Sequence, residues 1–280
     1  MAARGLGRHR GRSLLSNKEN RILPKIPVNG IELYYEEHGQ GYPVVFLHGF
    51  SSTHHMWASQ VGVLSEKYRF VTYDARGHGQ TDSPPEVKDY SEEIVAEDLY
   101  QLLKALGIDK AVIGGLSMGG YESLLFYLAH PEMVTALILM DTGPGYRNPA
   151  RREDWNRGRE ALAKRLETEG IEVLAANAPS ETGREIMLRQ SPIGLAHMSR
   201  TVVAQRDARV IDSLSQIKVP TLVLVGSEDR PFHAAADYMA KTVLGSEKAV
   251  IPQAGHASNI DQPEAFNTVI LGFLEKLNLA

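Results

Sequence analysis

Cysteine is absent from this chain, and with it go disulfides, thiolate nucleophiles and cysteine-based metal sites. Long apolar runs are missing too: no stretch approaches the ~20 residues that span a bilayer. The first residues hold no apolar segment of the secretory-signal kind, so cytoplasm is the expected location and no membrane partner is expected. Acidic residues are missing from residues 1–18, where Arg4, Arg8, Arg10, Arg12 and Lys18 give +5. The formal total of −4 therefore leaves −9 on residues 19–280, an acidic body that speaks against a nucleic-acid groove. Residues 1–22 read as a basic leader. Arg and Ser content fits a transit peptide, but Gly5, Gly7 and Gly11 oppose an amphipathic helix and favour a disordered segment.

What is present is ordinary globular composition, 43% hydrophobic and 23% charged over 280 residues, enough for one large α/β core with an insertion. Ile31–Glu37 alternates after an Asn29-Gly30 turn and reads as an edge strand. Short apolar runs follow at Pro43–Leu47, Phe70–Tyr73, Ala111–Ile113, Ala136–Met140, Thr221–Val225 and Ala249–Ile251. Helical patterns, including Glu92–Leu106 and Met118–His130, lie between most of them. Such alternation predicts a mostly parallel sheet covered on both faces. The last helix carries an apolar stripe from Phe266 to Leu277, with Asp261 as the expected N-cap, Pro263 in the first turn and Glu264 closing a capping-box-like pair. Residues 147–214 break the rhythm. They are charged and helix-prone, with Arg151–Glu169, Glu181–Gln190 and Thr201–Leu214 as three expected helices, and they read as a cap inserted into a core made of residues 23–146 and 215–280.

Chemistry concentrates around Gly-Leu-Ser-Met-Gly at 115–119. The pentapeptide alone fits a glycine- and serine-rich strand–helix loop as well as a nucleophile elbow. Its context, an apolar strand before and a helix after, is what the elbow needs: a sharp turn that exposes the hydroxyl beside a helix N-terminus. A serine needs a base, and the base needs an acid. His256, after the last strand, is the leading base; His9, His38, His130 and His197 occupy no comparable context. Asp229 follows the penultimate strand and gives the chain order Ser, Asp, His, ahead of Asp141 and Glu228. Oxyanion donors are expected from the backbone N–H groups of Met118 and of Phe50 in His48-Gly49-Phe50, with His48 holding that loop by hydrogen bonds. Met56, Trp57, Tyr146, Trp155, Met198 and His233 are pocket candidates that packing explains equally well. His54-His55 make a weak metal site, and no G-x-G-x-x-G marks a dinucleotide, so no cofactor or metal is expected.

Taken in order, His-Gly-Phe (48–50), Asp-Ala-Arg-Gly-His-Gly (74–79), Gly-Leu-Ser-Met-Gly-Gly (115–120), Gly-Ser-Glu-Asp (226–229) and Gly-His (255–256) resemble the α/β-hydrolase superfamily over residues 25–280. That resemblance implies an eight-stranded, mostly parallel sheet with a small helical cap inserted after strand 6. It also implies a Ser117–His256–Asp229 triad, with Phe50 and Met118 as oxyanion donors and Asp74 to Gly79 as scaffold. A serine at the elbow differs from the aspartate of epoxide hydrolases and haloalkane dehalogenases. The short His-Gly-Phe loop and small cap are most similar to the 3-oxoadipate enol-lactonase-like group of esterases and lactonases. The expectation is a serine carboxylic-ester hydrolase acting on a small ester or lactone, as a monomer or homodimer. Carbon–carbon bond hydrolases, cofactor-free perhydrolases (haloperoxidases) and small-molecule receptors with vestigial activity are the alternatives.

Overall fold

In a computed structural model, which describes residues 25–176, 178 and 180–279, the apolar runs become strands of one sheet, the last of them at its edge. Its strands are β1 (Lys25–Val28), β2 (Ile31–His38), β3 (Tyr42–Leu47), β4 (Tyr68–Tyr73), β5 (Ala111–Leu116), β6 (Val134–Met140), β7 (Thr221–Gly226) and β8 (Glu247–Ile251). The spatial order is β1-β2-β4-β3-β5-β6-β7-β8. β2 pairs antiparallel with β1 and β4, and all later pairings are parallel. This is the α/β-hydrolase fold. β5 and β7 are buried along their whole length, which is why they read as continuous apolar runs without alternation.

The helices are α1 (Ala58–Ser65), α2 (Glu92–Ala105), α3 (Met118–Ala129), α4 (Pro149–Glu169), α5 (Glu172–Ala175), α6 (Glu181–Leu188), α7 (Pro192–Met198), α8 (Arg209–Ser213), α9 (Arg230–Thr242), α10 (Ser258–Asp261) and α11 (Pro263–Lys276). Leu99, Leu102, Leu124, Phe126 and Met239 bring α2, α3 and α9 onto one face of the sheet with Val45 and Leu47. Leu64, Phe266, Ile270 and Phe273 bring α1 and α11 onto the other, against Val44 and Phe46. Adjacent β3 residues thus serve opposite cores, as the two-residue period of a strand requires. Among the described residues, helices but no strand stand between β6 and β7, and Ala163, Leu166, Leu195 and Ala196 give them a small core of their own.

Four local expectations are corrected. Ile31–Glu37 is not at the edge: the Asn29-Gly30 turn, with φ of 44° and 78°, folds β1 outside it. Pro27 within β1 gives no warning of a strand because an edge tolerates a missing N–H. β5 extends beyond Ile113 through Gly114 and Gly115 to Leu116. Thr201–Leu214 is not one helix. A π-helical turn at Ser199–Val203 ends at extended Ala204, and α8 starts at Arg209. Side chains of α4 take up the freed backbone: Trp155 Nε1 donates to Val203 O, and Asn156 bonds both Gln205 N and Gln205 O. Asp261 does not cap α11. It ends α10, and its Oδ2 accepts from Gly255 N (2.8 Å), bracing the residue before His256, while Gln262 opens α11 without a side-chain bond. The leader, 1–22, lies outside the described residues.

Candidate active site

β5 passes into α3 through Ser117, whose φ of 55° and ψ of −115° lie outside the regions a side-chain-bearing residue ordinarily adopts. The turn closes only because Gly115 and Gly119 lack side chains: a Cβ on Gly115 would stand 2.2 Å from the Gly119 carbonyl carbon, and one on Gly119 2.2 Å from Leu47 O. Ser117 N donates to Met140 O (2.9 Å), and Thr142 Oγ1 donates to Ser117 O (2.6 Å), so the strained residue is held from β6 and from the segment after it.

The loops after β7 and β8 bring the other two groups. Ser117 Oγ is 2.9 Å from His256 Nε2, and His256 Nδ1 is 2.8 Å from Asp229 Oδ2. A carboxylate only accepts, so Nδ1 carries the proton and Nε2 is left to accept from the serine hydroxyl. Asp229 is buried, whereas His256 is partly exposed and stacks on Phe232 with ring centroids 4.6 Å apart. Asp141, the rival acid, is occupied elsewhere: it accepts from Gly226 N (2.7 Å) and Ser258 Oγ (2.5 Å). Burial pushes its carboxyl up to about 6 against the pull of those two donors. Glu228 side chains stay at the surface, its amide donating to Ala254 O.

The loop after β3 is fixed through its carbonyls. Gly49 O accepts from Ser52 N (3.1 Å) and from His48 Nδ1 (2.8 Å), while His48 Nε2 accepts from Ala75 N (2.9 Å). Both ring nitrogens are committed in the neutral tautomer, and burial lowers the His48 pKa. Because Gly49 C=O and Phe50 N–H belong to one planar peptide, pinning the first aims the second the opposite way. Ser51, at φ 60°, is held by His78 Nε2 at its N–H (3.2 Å) and by Gln190 Nε2 at its carbonyl (2.7 Å). Burial holds His78 down to about 3, so it accepts as a neutral ring. Among the described residues the N–H groups of Phe50 and Met118 make no hydrogen bond, and both residues line the same cavity as Ser117 and His256.

The Asp74 motif braces this loop. Asp74 Oδ1 accepts from His54 N (2.8 Å) and His54 Nδ1 (2.7 Å), and Oδ2 accepts from Gln80 N (2.8 Å). Arg76 forks onto Asp98 at 2.6 and 2.8 Å. His54 is therefore a partner of Asp74, and among the described residues no group of three His, Asp or Glu is placed around a metal ion.

A cavity of about 590 Å³ opens over Ser117. Tyr146 and Trp155 line it, but Trp57, Met56, Met198 and His233 do not. Trp57 is fully buried between Phe46 and Phe266; Met56 packs in the same core and its Sδ accepts from Gly49 N. Met198 is buried in the core on the other face. His233 bonds Ser227 O (3.2 Å), because the helical turn of α9 gives the cavity Phe232 and Ala234 instead. Sequence reasoning passed over Arg151 and Arg159, which share the cavity-facing side of α4 with Trp155 at spacings of four. That spacing was readable; which side of α4 faces inward was not.

A mostly parallel sheet with a serine elbow on its central strand, a histidine and a carboxylate on later strand ends, and a helical insertion between β6 and β7 defines the α/β-hydrolase class. The family model for the alpha/beta hydrolase fold matches residues 42–208, and the chain belongs to that family. It is 29% identical to 3-oxoadipate enol-lactonase 1 of Acinetobacter baylyi, over 94% of this chain and 97% of that one. Among solved structures it is similar to a thermophilic esterase from Thermogutta terrifontis (32% identity, TM-score 0.80, 91% of this chain and 99% of that one). It is also similar to the enol-lactonase from Burkholderia xenovorans LB400 (28%, TM-score 0.79, 90% and 100%).

Proposed function

We propose that this protein is a serine hydrolase that cleaves a small carboxylic ester or lactone through an acyl-enzyme. The observation that carries this reading is the hydrogen-bonded series Ser117, His256, Asp229 at a cavity lined by two residues, Phe50 and Met118, whose backbone N–H groups have no partner among the described residues. His256 Nε2 takes the Ser117 proton as Oγ attacks the substrate carbonyl carbon. The N–H groups of Phe50 and Met118 receive the oxyanion, and the N-terminus of α3 adds its dipole. Asp229 holds the Nδ1 tautomer and stabilises the imidazolium. The imidazolium then gives its proton to the leaving alkoxide. Water, deprotonated by His256, attacks the acyl carbon and restores the serine. Residues 147–214 act as the cap that bounds the cavity. The esterase and enol-lactonases named above support the substrate class.

Fluorophosphonate labelling beside hydrolysis of p-nitrophenyl acetate, butyrate and octanoate tests this reading. Wild type is expected to label and to turn over the short esters. Ser117→Ala should lose the label and on the order of 10⁶ in kcat. A Ser117→Ala protein that keeps most of its activity would refute the nucleophile. Labelling without ester turnover would overturn the ester-or-lactone assignment and leave another reaction on the same serine.

A further inference from the structure

Gln205 stands in the wall of the cavity over Ser117, beside Val202, Val203 and Ile211, and is only 7% exposed. Most of its polar atoms are already committed. Asn156 of α4 clamps the backbone: Gln205 N donates to Asn156 Oδ1, and Asn156 Nδ2 donates to Gln205 O, each at 2.8 Å. The side-chain Oε1 accepts from Tyr146 N (2.9 Å), and Tyr146 O accepts from Arg152 Nη1 (3.0 Å). Gly145, at φ 90°, lies against this amide, where a Cβ would stand 2.9 Å from Oε1. An N–H is received by the carbonyl oxygen of an amide, so the bond from Tyr146 fixes which way round the group sits. Nε2 and its two donors are left on the other side. Among the described residues Nε2 makes no hydrogen bond, yet it is not sealed inside the protein. The space it reaches is the cavity that Gln205 lines.

A sheltered amide donor without an acceptor costs free energy that a ligand oxygen recovers. The amide carries no charge and discriminates by lone pairs. A carbonyl or ether oxygen satisfies it, whereas a methylene in the same place leaves it unpaired. Resting on the ester-or-lactone reading above, we infer that Gln205 is a specificity-determining residue. The substrate carries an uncharged acceptor oxygen, of the ketone or ether kind, away from its reacting carbonyl, and Gln205 Nε2 binds that oxygen while the carbonyl lies at Ser117. Because Asn156 and Tyr146 hold Gln205 before a ligand arrives, the donor is presented with little further loss of side-chain freedom. A role confined to holding Tyr146 N needs only Oε1; the two donors are what that role leaves unexplained.

The test uses pairs of neutral esters that differ by an oxygen: ethyl acetoacetate with ethyl butanoate, ethyl levulinate with ethyl pentanoate, and methoxyethyl butanoate with butyl butanoate. Within each protein the ratio of kcat/KM, oxygen-bearing over plain, is measured. Intrinsic reactivity cancels when ratios are compared between proteins. Gln205→Met should lower the ratio in at least one pair roughly 3- to 10-fold, the scale of a neutral hydrogen bond. Gln205→Glu keeps an acceptor for Tyr146 N but replaces the donors by an oxygen, so it should lower the same ratio at least as far. Arg157→Gln, at an exposed position paired with Asp154 on α4, should leave every ratio unchanged. A second readout needs no turnover: ligand-observed NMR affinities of the same esters for Ser117→Ala protein, with the oxygen-bearing preference lost in the Ser117→Ala, Gln205→Glu double variant. Equal losses on both members of every pair, or ratios that neither Gln205 variant moves, overturn the inference and leave the hydrolase reading intact. Failure of all the esters to turn over, with an oxygen-bearing preference in binding that depends on Gln205, overturns the hydrolase reading and supports the acceptor site.

Discussion

Asp141 and Asp229 follow adjacent parallel strands, and each ends near the same loop, yet different donors reach them. Asp229 accepts a hydrogen bond from His256 Nδ1; Asp141 accepts from Gly226 N and Ser258 Oγ and so ties the end of β7 to the start of α10. The two substitutions should therefore separate by observable. Asp229→Asn is expected to cost on the order of 10⁴ in kcat, because an amide at that position favours the wrong histidine tautomer. Asp141→Asn is expected to lower the melting temperature with kcat on the wild-type scale. Steady-state kinetics and thermal melts on both variants decide it, and a loss of turnover confined to Asp141→Asn would reverse the assignment of the acid.

At the scale of elements, the loop after β3 depends on a residue from the helical insertion. Gln190, just past α6, donates to Ser51 O (2.7 Å) and accepts from Gly79 N (3.2 Å), so one amide joins the loop after β3, the proposed oxyanion loop, to the Asp74 motif. Gln190→Leu keeps the volume and removes both bonds. The Phe50 N–H then loses orientation where charge develops, so kcat should fall about tenfold with a smaller change in KM. The rate of fluorophosphonate labelling should slow in parallel. Equal changes in both substrate binding and melting temperature, with labelling untouched, would reduce Gln190 to a packing residue.

For the molecule as a whole, the insertion is anchored to the core by charge: Arg209 of α8 reaches Glu92 and Glu93 at the start of α2, and Glu92 also accepts from Tyr121 of α3. Glu122, the next residue on α3, has no such compensation. It is buried, its Oε1 has no partner among the described residues, and burial pushes its carboxyl from 4.5 up to about 8. The native state therefore holds this proton more tightly than the unfolded chain does. Its effect on stability is absent below 4.5, becomes unfavourable as pH rises towards about 8, and is constant above that. Glu122→Gln should stabilise the protein by roughly 1–3 kcal/mol at about pH 9 and hardly at all at about pH 4, as urea unfolding at each pH would show. An equal effect at both would mean that the site is repaired by shape and not by charge.

Local chemistry decided what was legible in the sequence. Runs of Val, Ile and Leu of strand length announce buried parallel strands whatever surrounds them, and glycines two residues either side of Ser117 announce an elbow because nothing larger fits. The order of serine, aspartate and histidine on successive strand ends follows from the same local signals, which made Ser117, Asp229 and His256 candidates before any distance was measured. Contacts between distant segments decided the rest. Trp57 could enter the cavity or the core until α11 packed over it, and Asp261 could cap a helix until Gly255 N came within reach. Thr201–Leu214 had helical propensity throughout, but Trp155 and Asn156 of α4 took the backbone groups a helix would have used. That the Arg159 Nε has no hydrogen-bond partner among the described residues is likewise a property of the tertiary structure. A sequence shows how many acids a chain contains; only the fold determines which cations they fail to reach.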